Sequence, residues 1–312
     1  MGFDNTILTW EIYIFKRVCT YPVKGIVFEM IEFKDVCKIY DTNIEREKAL
    51  DKVSLKIEDG EFVYIIGANG SGKSTLVKLI NCEERLTSGT ITFDEYNLEK
   101  IRRRQIPYLR RKVGMVFQDF KLIENMSVYD NVAFALRVTD RPAREVRRKV
   151  PKILEVMGLT KKANCRPDEL SGGERQKVGI ARAIVGSPSV LIADEPTGNV
   201  DPEMSFELLQ MLDEINKAGT TVILVTHQRD FISKMPRRVV VLEEGKIIFD
   251  EDLTLAEACQ NSDLREACDS EIPEYEAEES PVIQQELPLT GETAEEGFVP
   301  PEITRITGEE NR

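Results

Sequence analysis

The sequence of 312 residues lacks any apolar run long enough to cross a membrane. Its longest such runs, for example residues 239–242, hold a handful of residues, whereas a spanning helix needs about 20. No secretory leader is recognisable either, because Glu11 interrupts the apolar stretch at residues 10–15 and a Lys-Arg pair follows it. We therefore expect a cytosolic chain, whatever membrane partner it has.

Cysteine and histidine are scarce, and their spacing argues against two kinds of site. The six cysteines lie at positions 19, 37, 82, 165, 259 and 268, so no pair has C-x-x-C spacing. The only histidine, His227, is close to none of them in sequence. We therefore expect reduced thiols, and neither a zinc site nor a disulfide framework.

Negative charge is abundant but confined to one end of the chain. The net charge is −13. Residues 250–312 hold 19 acidic and 3 basic residues, a net of −16, whereas residues 1–249 hold 36 acidic and 39 basic residues, a net of +3. The acidic end is rich in Glu, Pro, Thr and Gly, a composition that buries too little apolar surface to offset its ordering entropy.

These observations predict three parts. Residues 1–29 carry no motif and are expected to be an extension from a mis-assigned start, with Met30 as the true start. A short amphipathic N-terminal arm is the alternative. Residues 30–258 would form the folded domain, and residues 259–312 an acidic, disordered tail.

The strongest motif is G-x-x-x-x-G-K-[ST] at residues 67–74, between an apolar run at residues 62–66 and a helical pattern from residue 76. This strand–loop–helix order predicts a phosphate-binding P-loop, in which backbone N–H groups and a helix N-terminus face anionic oxygens. Lys73 would reach the β- and γ-phosphates, and the Ser74 hydroxyl would bind Mg²⁺. The chain is therefore predicted to bind a nucleoside triphosphate.

Four further motifs follow in order along the chain. A buried strand at residues 113–118 ends in Gln118, and a helical insertion follows from residue 127 to about residue 158. The sequence L-S-G-G-E at residues 170–174 then opens another helix. Two apolar strands come next; the first ends in Asp194 and Glu195, and His227 follows the second. Carboxylates at the carboxyl end of a parallel strand lie where open α/β sheets bind ligands.

A cationic stretch at residues 100–112 has two interpretations. It suits lipid headgroups or nucleic acid, but the solvated face of a helix is favoured because no base-reading motif accompanies it. We therefore expect no nucleic-acid partner.

Together the five motifs resemble the nucleotide-binding domain of ATP-binding-cassette (ABC) ATPases over roughly residues 31–250. The resemblance implies an α/β P-loop NTPase of the ABC type. Such a domain has a RecA-like parallel-sheet core, an antiparallel β-subdomain and a helical insertion subdomain at about residues 120–185.

The resemblance also implies a role for each matching residue, with ATP and Mg²⁺ as ligands. Glu195 would polarise the attacking water, and His227, Lys73 and Gln118 would complete the catalytic set. Mg²⁺ would be surrounded by Ser74, Gln118 and Asp194. The residues implied in nucleotide binding are Tyr40, which would stack on adenine, Gly67, Ala68, Asn69, Gly70, Ser71, Gly72, Lys73, Ser74, Thr75, Ser171, Gly172, Gly173 and Asp201.

Ser171, Gly172 and Gly173 would contact a nucleotide held by another subunit, which implies a homodimer with two composite sites. The segments at residues 113–120, 127–136, 191–199 and 235–245 resemble those of the cell-division ATP-binding proteins within this family. That resemblance implies a polytopic membrane protein as partner and a peripheral location at the cytoplasmic face of the membrane. It further implies that the complex controls peptidoglycan hydrolases within the division machinery.

Three alternatives stay open at this point. The first is the ATPase subunit of a transporter of the lipoprotein-release or macrolide-efflux type. The second is a scaffold that does not hydrolyse ATP and recruits partners through its acidic tail. The third, a soluble cassette acting on DNA or ribosomes, is disfavoured because neither a second cassette nor a long coiled-coil insertion is visible.

Overall fold

The computed structural model describes residues 29–41, 46–198, 200–228 and 230–253. The predicted N-terminal extension, apart from Glu29, and the predicted acidic tail lie outside these ranges, so both stay predictions. No helix within the described ranges is long and apolar enough to cross a membrane.

A six-stranded sheet forms the centre of the fold. Its strands are β3 (Phe62–Ile66), β6 (Val113–Val116), β7 (Val190–Asp194), β8 (Thr221–Val225), β9 (Arg238–Glu243) and β10 (Lys246–Asp252). Their order is β10-β9-β3-β8-β7-β6. The pairs from β9 to β6 are parallel, and β10 pairs antiparallel with β9 at the edge. The predicted parallel-sheet core is confirmed.

The β3 strand shows why this sheet forms from nearly continuous apolar runs. Phe62, Tyr64 and Ile66 face one apolar cluster, and Val63 and Ile65 face a second cluster on the opposite side. All five are buried. Because side chains alternate between the faces of a strand, a strand covered on both faces requires apolar residues at every position.

A second sheet, entirely antiparallel, covers one side of the P-loop region. It consists of β1 (Glu29–Asp41), β2 (Arg46–Glu58), β4 (Ser88–Phe93) and β5 (Tyr96–Asn97), in the order β2-β1-β4-β5. Its apolar face shares one buried cluster with the central sheet and with the helix that follows β3. The predicted antiparallel subdomain is therefore also present.

Helices occupy the remaining segments. They are α1 (Lys73–Ile80), α2 (Ile106–Arg110), α3 (Val128–Arg137), α4 (Ala143–Val156), α5 (Gly172–Ile184), α6 (Pro202–Lys217) and α7 (Asp230–Lys234), with single 3₁₀ turns at Thr160–Lys162 and Pro167–Glu169. The α3 helix packs against both α4 and α5. These three helices form the predicted helical insertion between β6 and β7, although its exact limits stay a prediction.

Two local expectations need correction. The strand predicted at residues 113–118 ends at Val116, so that Gln118 lies in the loop beyond it. The cationic stretch at residues 100–112 is not one helical face, because only Ile106–Arg110 is helical. Pro107 lies in the first turn of α2, the position where a helix tolerates proline best, and the arginines at positions 102–104 precede the helix.

Asn131 on α3 fixes the loop that follows Gln118. The Asn131 side chain is fully buried, and its Oδ1 accepts a hydrogen bond of 2.8 Å from the backbone N–H of Ile123. Its Nδ2 donates to the carbonyls of Ile123, Met126 and Ser127 at 3.0–3.2 Å. One side chain therefore satisfies four backbone groups of this loop.

Replacing Asn131 with alanine is expected to lower the free energy of unfolding by about 2 kcal/mol, because the part-buried Ile123 N–H and Met126 carbonyl lose the hydrogen bonds that Asn131 provides. Urea denaturation of the full chain measures the change. The control is Asn125→Ala in the same loop, where an exposed side chain is lost and the change should stay within about 0.5 kcal/mol. Equal effects of the two substitutions would contradict this role of Asn131.

Candidate functional site

The predicted P-loop lies between β3 and α1, at the carboxyl end of a central strand. Gly67, Gly70 and Gly72 all have positive φ angles, of 153°, 81° and 107°. L side chains rarely adopt such angles, so the loop can curl its backbone N–H groups inward only with glycine at these positions. The α1 helix begins at Lys73 and points its N-terminus at the loop.

The Lys73 ammonium is buried inside this loop. Its Nζ donates hydrogen bonds to the carbonyl oxygens of Gly67 at 2.6 Å and Ala68 at 2.8 Å. The Ser71 hydroxyl is also buried, yet its oxygen has no hydrogen-bond partner. A positive charge and an unsatisfied polar atom in a concave backbone loop fit the oxygens of a bound phosphate.

Two strands that are distant from the P-loop in sequence, β9 and β2, lie directly against it. A Cβ atom at Gly67 would overlap the carbonyl oxygen of Leu242 on β9, and one at Gly72 would lie 2.5 Å from the carbonyl oxygen of Ala49 on β2. The backbone N–H of Gly245, in the β9–β10 turn, donates to the Ser71 carbonyl at 3.0 Å. Asp51 of β2 in turn donates its N–H to the Gly245 carbonyl at 2.8 Å.

Asp194 and Glu195 lie at the carboxyl end of β7. The pKa of Asp194 is raised by burial and by the neighbouring Glu195 charge, although Lys73 partly opposes the shift. The Glu195 N–H donates to the Val225 carbonyl of β8 at 2.9 Å. Its φ of 47° lies in the left-handed region, which is uncommon for a residue other than glycine. Such outliers concentrate at functional sites.

His227 lies beside Glu195. The Nδ1 atom of the imidazole is 3.0 Å from the Glu195 Oε2 atom. The geometry is that of a contact and not of a hydrogen bond, so this buried carboxylate oxygen has no hydrogen-bond partner. The Glu195 side chain is 15% exposed and the His227 side chain 58% exposed. The Glu195 carboxylate thus combines a buried oxygen that lacks a hydrogen-bond partner with a side chain that is still partly exposed, which suits the activation of a water molecule.

Gln118 lies against the turn after Glu195. A Cβ atom at Gly198 would lie 2.8 Å from its Nε2 atom, so the amide packs closely on this glycine. The structure thus brings Gln118 to the turn that follows β7, although Gln118 itself follows another strand, β6.

The donor atoms available for Mg²⁺ are all hard oxygens. They belong to a hydroxyl, an amide and a carboxylate, at Ser74, Gln118 and Asp194. Within the described residues no group of three His, Cys, Asp or Glu side chains could hold a metal ion. The donor set therefore fits a Mg²⁺ ion that also keeps waters and phosphate oxygens, and not an ion held by protein ligands alone.

Tyr40 lies near the end of β1, opposite Glu47 on β2. Ala49, two residues further along β2, approaches the P-loop glycine Gly72. Tyr40 is therefore near the part of the antiparallel sheet that approaches the P-loop, and its stacking on adenine stays a prediction. The Lys38 ammonium lies 4.5 Å from the centre of the Tyr40 ring, a cation–π contact that sequence reasoning missed.

The L-S-G-G-E motif lies at the start of α5. The Ser171 hydroxyl accepts the Glu174 N–H at 3.2 Å, and the Glu174 carboxylate accepts the Ser171 N–H at 2.9 Å. A Cβ atom at Gly173 would lie 2.6–2.7 Å from the Met204 side chain of α6. The described contacts of this motif thus join it to α6, whose first turn is capped by Asp201.

Comparison with known proteins agrees with this geometry. The sequence profile of the ABC transporter family matches residues 50–198. The cell division ATP-binding protein FtsE of Bacillus subtilis (strain 168) is 47% identical over 222 residues, which cover 71% of this chain and 96% of that protein. FtsE of Mycobacterium tuberculosis (strain ATCC 25618 / H37Rv) is 48% identical with the same coverage.

Among solved structures, the chain is similar to the ATP-binding cassette MJ0796, solved as a dimer in a post-hydrolysis state bound to ADP and Pi. The TM-score is 0.67 and the identity 34%, over 72% of this chain and 99% of that one.

Proposed function

The chain belongs to the ABC family of ATPases and, within it, to the cell division ATP-binding proteins FtsE, and from this membership we propose that it is the ATPase subunit of a membrane complex that acts in cell division. The observation that carries the ATPase assignment is the unsatisfied Glu195 Oε2 atom, buried 3.0 Å from His227 at the end of the strand that also carries Asp194.

In the proposed reaction, each residue of the site has a separate role. The P-loop N–H groups and Lys73 hold the phosphates of ATP, and the Tyr40 ring stacks on the adenine. Glu195 accepts a proton from the attacking water, and His227 contacts the γ-phosphate. Ser74, Gln118 and Asp194 would hold Mg²⁺, which neutralises charge on the phosphate oxygens when it is bound.

We propose that two copies of the chain form the working unit. Each copy has one P-loop and one L-S-G-G-E motif, and the described contacts of Ser171 and Gly173 are with Glu174 and Met204, not with the P-loop. A two-fold dimer places each motif over the nucleotide of the other subunit and yields two equivalent composite sites. MJ0796, a similar cassette, was solved as a dimer bound to ADP and Pi. ATP then holds the subunits together, and its hydrolysis lets them separate.

The proposed membrane partner is a polytopic protein of the FtsX type, with this chain bound peripherally at the cytoplasmic face. In this arrangement the closing and opening of the dimer is transmitted across the membrane to peptidoglycan hydrolases at the division site. The support is the coverage of 96% of the FtsE relatives, which are named for cell division.

Capture from membranes tests the partner assignment. The Glu195→Gln protein with Mg-ATP is used as bait in detergent-solubilised membranes, and the same bait without nucleotide is the control. Nucleotide-dependent capture of a small polytopic protein with one large extracytoplasmic loop supports the division complex. A permease with many spans, or a lipoprotein-handling protein, would show the transporter alternative to be right. If no membrane protein is captured, the soluble alternatives replace both.

A further inference from the structure

Two turns beyond the central sheet carry the catalytic pair. Glu195 opens the turn at residues 195–198, which is closed by a hydrogen bond of 3.3 Å from the Gly198 N–H to the Glu195 carbonyl. His227 lies in the turn after β8. The β7–β8 ladder itself ends at the pairing of Asp194 with Val225, so neither catalytic side chain is held by strand pairing.

One side-chain hydrogen bond joins these two turns. The Thr197 hydroxyl donates to the Gln228 Oε1 atom at 3.1 Å. Thr197 is 3% exposed, so the bond is shielded from water at one end. Gln228 is also fixed through its backbone, because its N–H donates to the Thr226 hydroxyl at 3.0 Å. Thr226 itself is anchored to β3 by a bond from its N–H to the Ile65 carbonyl at 3.2 Å.

We propose that Thr197 and Gln228 are positioning residues for ATP hydrolysis, whose hydrogen bond sets the distance between the Glu195 carboxylate and the His227 imidazole. The inference deepens the proposed function and rests on it. Thr197 is two residues from Glu195, and Gln228 directly follows His227, so the bond closes a small ring that contains both catalytic residues. Neither Thr197 nor Gln228 needs to touch the nucleotide for this role.

The ring matters because the strands alone leave His227 poorly constrained. Its side chain is more than half exposed and has no other described contact that fixes its direction within the described residues. A displacement of about 1 Å between reacting groups is enough to lower a rate about a hundredfold. A single part-buried hydrogen bond that prevents such a displacement therefore has a larger effect on turnover than on stability.

Kinetics of the full chain provide the first test. Thr197→Val removes the donor but keeps the shape, and we expect kcat for ATP to fall about tenfold or more while KM stays within about twofold. Thr197→Ser keeps the hydroxyl and should return kcat to within about threefold of the original chain. The matched control is Thr220→Val, because Thr220 is equally buried at the other end of β8 and no described hydrogen bond uses its hydroxyl.

The single histidine provides a second test that does not depend on turnover. In the full chain, without a histidine tag, the ¹⁵N imidazole signals come from His227 alone. We expect Thr197→Val and Gln228→Ala to shift these signals in the same way, the double variant to shift them no further, and Thr220→Val to leave them in place.

Unchanged imidazole signals in Thr197→Val, or a serine variant as slow as the valine variant, would overturn the positioning role. Additive losses of kcat in the double variant would overturn it as well. If the original chain does not hydrolyse ATP, the proposed function fails, but the imidazole signals still decide whether the hydrogen bond positions His227.

Discussion

Replacing Glu195 with glutamine is expected to lower kcat for ATP hydrolysis by about 10²–10⁴-fold and to leave ATP binding intact. Glutamine has the same shape and can keep the contact to His227, but its neutral amide does not accept a proton from water. Nothing in the P-loop changes, so the phosphates should still bind. In the proposed composite-site dimer hydrolysis releases the subunits, so the variant should accumulate as a closed dimer with Mg-ATP.

Turnover is measured by phosphate release, ATP affinity by equilibrium binding, and the dimer by light scattering with and without Mg-ATP. The control is Glu99→Gln, which removes the same charge from an exposed position and should leave all three quantities unchanged. A Glu195→Gln protein that stays monomeric with saturating Mg-ATP would contradict the composite-site arrangement. One that turns over ATP at the original rate would contradict the assignment of Glu195 as the base.

Replacing Gly67 with alanine is expected to weaken ATP binding about a hundredfold and to destabilise the fold by about 1–3 kcal/mol. The new methyl group would overlap the Leu242 carbonyl oxygen and approach the Ser71 hydroxyl to 2.6 Å. The first of these is backbone of a central strand and cannot move aside, so the P-loop must shift. Its N–H groups would then no longer converge on the phosphates.

Two other glycines separate the causes of this effect. Gly60 has a φ of 77° but no atom within 4 Å of an added Cβ, so Gly60→Ala measures backbone strain alone. Gly186 has neither a positive φ nor a close neighbour, so Gly186→Ala should be neutral. ATP titration and urea denaturation of the three variants give both quantities. Equal ATP affinity for Gly67→Ala and Gly60→Ala would show that the contact with Leu242 does not shape the P-loop.

The meeting of Glu195 and His227 was predictable from the sequence, because each residue follows one of two neighbouring parallel strands. Parallel strands place their carboxyl ends at one edge, so Asp194, Glu195 and His227 converge once β7 and β8 pair. The glycines of the P-loop carry a conformational requirement that can be read directly from residue type.

The residues that hold these groups in place were not predictable in the same way. Thr197 and Gln228 meet only because two turns face each other, and Lys38 lies beside Tyr40 through its own bonds to Glu84 and to the backbone of Arg85. Neither pairing has a characteristic spacing in the sequence. The helical interpretation of residues 100–112 was wrong because it rested on the charge pattern alone. Only Ile106–Arg110 is helical, with Pro107 in the first turn, where proline favours a helix start.

The β9–β10 turn has a consequence for genetics. The Gly245 carbonyl accepts the N–H of Asp51, and the Gly245 N–H donates to the Ser71 carbonyl. Its φ angle is 76°. A Cβ atom added there would lie 2.8 Å from the Ala49 carbonyl oxygen. Any allele that places a side chain there must move β2, the turn or the P-loop. In an unbiased screen for non-functional alleles, Gly245 should therefore group with the P-loop residues. Second-site suppressors of such alleles should map to β2, around Ala49 and Asp51.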